Sequence, residues 1–137
     1  MKFPYKKYGE LVGAPVYRPV IPVELRYRKE NVKYEVLVDS GADLCIFHKE
    51  IGELLGMEIE KGKKEYVIGI NGGREIFYVH SLTLNVGGWD YKIEAGFKDM
   101  SKSGYGVVGQ TGFFDKFVVK FKYGKKEVEL TPVVKGK

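Results

Sequence analysis

The chain has 137 residues, a formal net charge of +5, 44% apolar and 30% charged residues, the profile of one globular unit able to bury about two-thirds of its unfolded surface. No apolar run approaches the ~20 residues of a membrane helix, Met1 to Tyr8 lacks the apolar core of a secretory signal, and a single cysteine excludes an internal disulfide framework. A reducing, cytoplasmic setting and no membrane partner are expected. The lysines are interleaved with glutamates, as in Glu58-Ile59-Glu60-Lys61-Gly62-Lys63-Lys64-Glu65, which reads as a solvated face and not as a nucleic-acid stripe.

In chain order, residues 1–15 read as an irregular arm punctuated by Pro4, Gly9, Gly13 and Pro15. Val16 to Tyr27 is extended, with Pro19 and Pro22 keeping its early part at an edge. Val32 to Val38 returns as a strand. His48 to Gly56 is the clearest helix: Ile51, Leu54 and Leu55 share a face and Gly56 ends it. Between the β-rich arms around Tyr66 and Phe77, Asn71-Gly72 predicts a two-residue type I′ hairpin, made pliable by Gly69 and Gly73. Ser81 to Val86 and Trp89 to Phe97 are strands about Gly87-Gly88. A polar loop spans 98–106, and Val107-Val108-Gly109 precedes a brief helix carrying Phe113, Phe114 and Phe117. A hairpin over 118–132 ends the pattern. The expected architecture is one mostly β domain over 1–137, a small closed barrel with two short helices.

The chemistry concentrates in Glu35-Val36-Leu37-Val38-Asp39-Ser40-Gly41-Ala42-Asp43-Leu44-Cys45-Ile46-Phe47. An acid at the end of a buried strand is costly to desolvate and calls for a reason. Capping a turn is the plain alternative, since Asp, Ser and Gly are all turn residues. His48 and His80 lack a supporting cluster, so no metal or other cofactor is expected. Nothing marks Cys45 as an activated thiol, and a small buried hydrophobe is its expected role.

The ordered combination is more specific than any part. An apolar strand into Asp39-Ser40-Gly41-Ala42-Asp43, a glycine-tipped hairpin, and Val107-Val108-Gly109 before a short helix resemble a retropepsin-like aspartic protease, the cellular branch more than the viral one. The resemblance covers about residues 18–123. It implies a retropepsin-like closed β-barrel and assigns Asp39 as the catalytic aspartate. Ser40 would hydrogen-bond across a two-fold axis, and Gly41, Ala42 and Asp43 would meet substrate main chain. Gly69, Ile70, Asn71, Gly72 and Gly73 would form a flap tip, with Val107 and Val108 packing behind the catalytic loop and bordering substrate.

Acid–base hydrolysis of a peptide bond needs a carboxylate to deprotonate water and a carboxylic acid to polarise the carbonyl. Two carboxyls in contact share a proton and titrate as a unit. Only Asp39 stands in an Asp-Ser/Thr-Gly setting, so the second carboxylate is expected from Asp39 of another copy, in a C2 homodimer. The expected function is an aspartic endopeptidase acting on an extended peptide. A dimeric peptide- or protein-binding module with little catalysis is the alternative, and a basic barrel that binds nucleic acid a weaker third. Two departures stand out. Gln110 occupies the place where viral relatives carry an arginine that pairs with the acid matching Asp43, and the terminal segments are longer.

Overall fold

The computed structural model describes residues 1–68, 71–100, 105–133 and 135–137. Twelve strands carry most of it: β1 (Lys2–Pro4), β2 (Lys6–Leu11), β3 (Ala14–Arg18), β4 (Val20–Tyr27), β5 (Glu30–Val38), β6 (Ile46–His48), β7 (Lys63–Ile68), β8 (Arg74–Val86), β9 (Trp89–Lys98), β10 (Gly106–Val108), β11 (Phe117–Lys122) and β12 (Glu127–Pro132). The only α-helix among the described residues, α1, spans Lys49–Leu54.

Alternation of apolar and polar residues builds the barrel. In β4, Val23 and Leu25 point inwards, and in β9 Tyr91, Ile93, Ala95 and Phe97 do the same, while Asp90, Lys92 and Glu94 face out. The strands follow the order β4-β5-β10-β6-β9-β8, and β8 pairs back onto β4 through Leu84 opposite Leu25. Six strands therefore close a mixed barrel, parallel at β5–β10 and β6–β9. Closure removes the free edges that an open sheet of this size would present. Strand β7 stands outside the ring, paired only with β8.

A second sheet, β1-β12-β11, packs on the barrel through Val128, Leu130 and Phe117, whose ring lies 5.2 Å from that of Tyr91. Helix α1 covers another side. Its Gly52 lies so close to Ile59 and Phe97 that any Cβ would collide with both, and Gly56 ends the turn at φ +82°. Leu55 is buried, but Leu54 is 66% exposed. The helix has only six residues and meets the core through Ile51 and Gly52, with Leu55 buried just past its end, which leaves Leu54 on its outer side.

Several expectations need correcting. Residues 1–15 are not an irregular arm: β1 joins the second sheet, and β2–β3 form a hairpin turning at Val12-Gly13, both with positive φ. The segment after Gly109 is a series of turns without a helix, because the amides of Phe114 and Asp115 reach back five residues to Gly109 and Gln110. The β7–β8 hairpin is not closed by a two-residue turn. Ile68 pairs with Arg74, leaving five residues between them, and only Gly72 among 71–73 has positive φ. Gly87-Gly88, by contrast, is a two-residue turn with both φ values positive, as a type I′ turn requires.

On the barrel's outer face Asp90 accepts hydrogen bonds from Asn85 (2.7 Å) and Arg26 (2.8 Å). These two, Asn85 foremost, hold its carboxyl below the ordinary aspartate range. A group with a lowered folded pKa stabilises the fold above its unfolded pKa, about 3.9, and loses that contribution as pH falls through the folded value. The stability gap between wild type and Asp90→Ala, read from urea midpoints, should be constant from neutral pH to about 5 and shrink below about 4. A gap that persists undiminished near pH 2 would contradict this role.

Candidate active site

Strand β5 runs from the surface into the core, with Val36 and Val38 buried, and delivers Asp39 half-buried at its end. The chain then turns sharply. The Asp39 carboxylate accepts the amide of Gly41 at 2.9 Å, and the Asp39 carbonyl accepts the amide of Ala42 at 3.2 Å. This self-bonded turn is the local habit of an Asp-x-Gly sequence.

The loop is held from behind by the segment after β10. The Asp39 amide donates to Val108 at 3.0 Å, the Gln110 amide to Ala42 at 2.8 Å, and the Thr111 amide to Asp43 at 2.9 Å. The Gln110 side chain adds a fourth bond, donating from Nε2 to the Ser40 carbonyl at 2.9 Å. Gly109 makes this approach possible, since a Cβ there would lie 2.5 Å from the Ala42 oxygen and 2.6 Å from that of Leu44. Gln110 therefore takes a bracing role suited to a neutral amide, with its bond to loop backbone and not to Asp43.

Asp39 opens onto a cavity of about 380 Å³ bordered also by Gly41, Ala42, Asp43 and Val107. Five of the sequence-predicted site residues are thus brought together. Ser40 is exposed beside them, its carbonyl held by Gln110. Val108 is fully buried and does not border the cavity, so its contribution is packing and the backbone bond to Asp39. Asn71, Gly72 and Gly73 are exposed at the end of the β7–β8 hairpin, where the Asn71 side chain accepts the Gly73 amide at 3.1 Å. Gly69 and Ile70 lie outside the described residues.

The opposite wall comes from residues that the sequence reading passed over. Val67 of β7 and Glu75 and Phe77 of β8 border the same cavity, as do Ile46, Lys98 and Met100. Lys98, at the end of β9, pairs with Glu75 and ties the hairpin to that wall. An adjoining groove of about 610 Å³ shares Asp43, Leu44 and Phe77 and continues along Glu65, Val79 and Ser81. The signal was present in period two: Glu75, Phe77, Val79 and Ser81 lie on one face of β8. What the sequence withheld is which face would look onto Asp39.

Cys45 is buried beside this loop, and burial pushes its thiol up to about 11, the opposite of an activated nucleophile. Among the described residues no group of three His, Cys, Asp or Glu side chains could hold a metal ion. No helix is long and apolar enough to cross a membrane.

A closed six-stranded mixed barrel with an acid-bearing loop braced from behind and a hairpin walling the cleft is the retropepsin-like fold. Solved structures bear this out. The chain is similar to a retropepsin-like aspartic protease from Rickettsia conorii, at 20% identity over 80% of this chain and 88% of that one, with a TM-score of 0.60. It is also similar to the retroviral protease-like domain of Ddi1 from Leishmania major (16% identity, 82% and 94% covered, TM-score 0.56). A third is the EIAV protease complexed with the inhibitor HBY-793 (21% identity, 68% and 82% covered, TM-score 0.52). No protein-family model matches the chain, and no curated protein sequence matches it.

Two substitutions separate the parts of the brace. Gly109→Ala should destabilise the fold by more than about 2 kcal/mol, because backbone on both sides must move. Gln110→Ala removes one hydrogen bond and should cost about 1 kcal/mol. Denaturant unfolding measures both, and equal costs would contradict the brace as described.

Proposed function

We propose that the protein is an aspartic endopeptidase, active as a homodimer in which Asp39 of each copy supplies one carboxyl of a shared-proton pair. One carboxylate takes a proton from water as the water attacks the peptide carbonyl. The protonated partner gives its proton to the carbonyl oxygen, and collapse of the tetrahedral intermediate passes a proton to the departing amine. The observation that carries this reading is Asp39 itself: half-buried at the end of a core strand, fixed by its bond to Gly41, and open to a cleft.

The remaining assignments rest on the resemblance to retropepsin-like proteases. Gly41, Ala42 and Asp43 would bind the main chain of an extended peptide, as a strand added beside the cleft. The β7–β8 hairpin would act as a flap that closes over substrate and limits water, with Gly69, Ile70, Asn71, Gly72 and Gly73 as the flap residues. Ser40 would bond across the two-fold axis. A buried, unactivated Cys45 suits a reducing cytoplasm.

Asp39→Asn keeps the side chain's shape and most of its bonds while removing its acid–base function. The wild type should cleave members of a diverse peptide library between about pH 4 and 7, and the variant should lose roughly 10²–10⁴-fold in rate with its melting temperature little changed. Cleavage unaffected by Asp39→Asn would contradict the proposal. A wild type that binds library peptides saturably and cleaves none would identify the binding module instead.

A further inference from the structure

The far end of β9 carries a feature that peptide hydrolysis does not use. Lys92 on β9, Lys116 in the turns before β11, and Lys135 and Lys137 in the C-terminal tail border one cavity of about 340 Å³, together with Thr83, Asp90 and Tyr91. The tail is built into this position. Lys137 and Asp90 exchange backbone hydrogen bonds at 2.8 and 3.0 Å. Gly136 is buried between them, where a Cβ would lie 2.8 Å from Trp89 and 2.9 Å from Tyr91, so only glycine lets the tail lie this close. Lys135 and Lys137 are thereby set on either side of a fixed anchor.

The charge is not balanced locally. Asp90, the one acid bordering the cavity, is already bonded to Arg26 and Asn85. Lys116 has only its neighbour Asp115, at 3.8 Å. Lys92, Lys135 and Lys137 make no ion pair among the described residues. A second depression of about 270 Å³ adjoins the first, shares Thr83 and Lys92, and adds Arg28 and Arg26, the latter already paired with Glu24 and Asp90. Strand register explains the continuity: Arg26 of β4 stands opposite Thr83 of β8, which stands opposite Lys92 of β9, so a hydroxyl sits between two cations in one cross-strand row. Lysines scattered along the sequence are thus gathered by folding onto one concave face.

We propose that this face binds the phosphate groups of a polyphosphorylated ligand. Ammonium groups bordering one cavity repel one another until an anion joins them. Lysine acts on phosphate as a point charge, and the Thr83 hydroxyl supplies a neutral donor beside it. Two adjoining depressions sharing Lys92 suit an anion with more than one phosphate, either a free polyphosphate or the backbone of a nucleic-acid strand. Lys92 is six residues from the cleft's Lys98, about 20 Å along the strand, so the lysines stand apart from Asp39, and the second depression meets the groove beside the cleft only at Ser81.

The test uses the full chain with three probes: inorganic tripolyphosphate by calorimetry, an oligothymidylate of about fifteen nucleotides by fluorescence anisotropy, and an oligoglutamate peptide as competitor. Tripolyphosphate binding that the oligonucleotide does not exceed would assign a free polyphosphate. Oligonucleotide binding that tightens with length, and weakens roughly 20- to 50-fold between about 50 and 200 mM salt for three to four neutralised phosphates, would assign a strand. In either case the double variant Lys92→Glu/Lys135→Glu should bind at least about tenfold more weakly, and Lys135→Gln/Lys137→Gln should weaken binding without added negative charge. Both should keep the wild-type melting temperature. Absence of binding to both phosphate probes at about 50 mM salt, affinity unchanged in both variants, or equal displacement by oligoglutamate would overturn the proposal.

Discussion

The structure turns on four hydrogen bonds between residues 108–111 and the loop 39–43. A carboxylate at the end of a core strand is tolerable only if the backbone around it is satisfied and its own position is fixed. Here the loop's amides and carbonyls are taken up by Val108, Gln110 and Thr111, and Asp39 spends one oxygen on the Gly41 amide. Gly109 is the residue that lets the two segments meet. Barrel closure serves the same end. It inserts β10 between β5 and β6, parallel to one and antiparallel to the other, and so brings residues about seventy apart in sequence into register.

On the proposed reading, what this brace holds is half of a catalytic pair. Each copy contributes one well-positioned Asp39, and the other acids near it have other engagements or surroundings: Glu75 is tied to Lys98, and Asp43 is exposed farther along the loop. Gln110 sharpens how this chain differs from the viral pattern. An arginine there can reach a neighbouring acid as an ion pair, whereas the glutamine amide turns to the Ser40 carbonyl and stiffens the loop by a neutral bond. On the proposed reading this leaves Asp43, exposed at the cavity, to bind substrate main chain.

Much of this was legible in the sequence where local signals agree. The β5 strand into Asp39, helix α1 with its Gly56 terminus, the Gly87-Gly88 turn and the C-terminal hairpin each follow from pattern and turn chemistry within a dozen residues. Other features depend on distant partners. Residues 1–15 look irregular because of their prolines and glycines, yet β1 is a strand because β12 lies beside it. The segment after Gly109 has helical spacing of phenylalanines, but the amides of Phe114 and Asp115 reach back five residues, to Gly109 and Gln110, in place of the four that a helix needs. The cleft wall at Glu75 and Lys98, and the lysines gathered around β9, are cross-strand products. No stretch of sequence displays them alone.

The most direct measurement of the central claim, that two Asp39 side chains make one site, is activity in mixed assemblies. Wild type and Asp39→Asn would be mixed in equal amounts, unfolded, refolded together and assayed on a cleaved peptide at a concentration where the protein is dimeric. If each site needs both aspartates, only pairs of two wild-type copies are active, and activity falls to about one quarter of an all-wild-type sample of the same total concentration. Activity of about one half, linear in the wild-type fraction, would mean that each chain works with its own residues and would contradict the account.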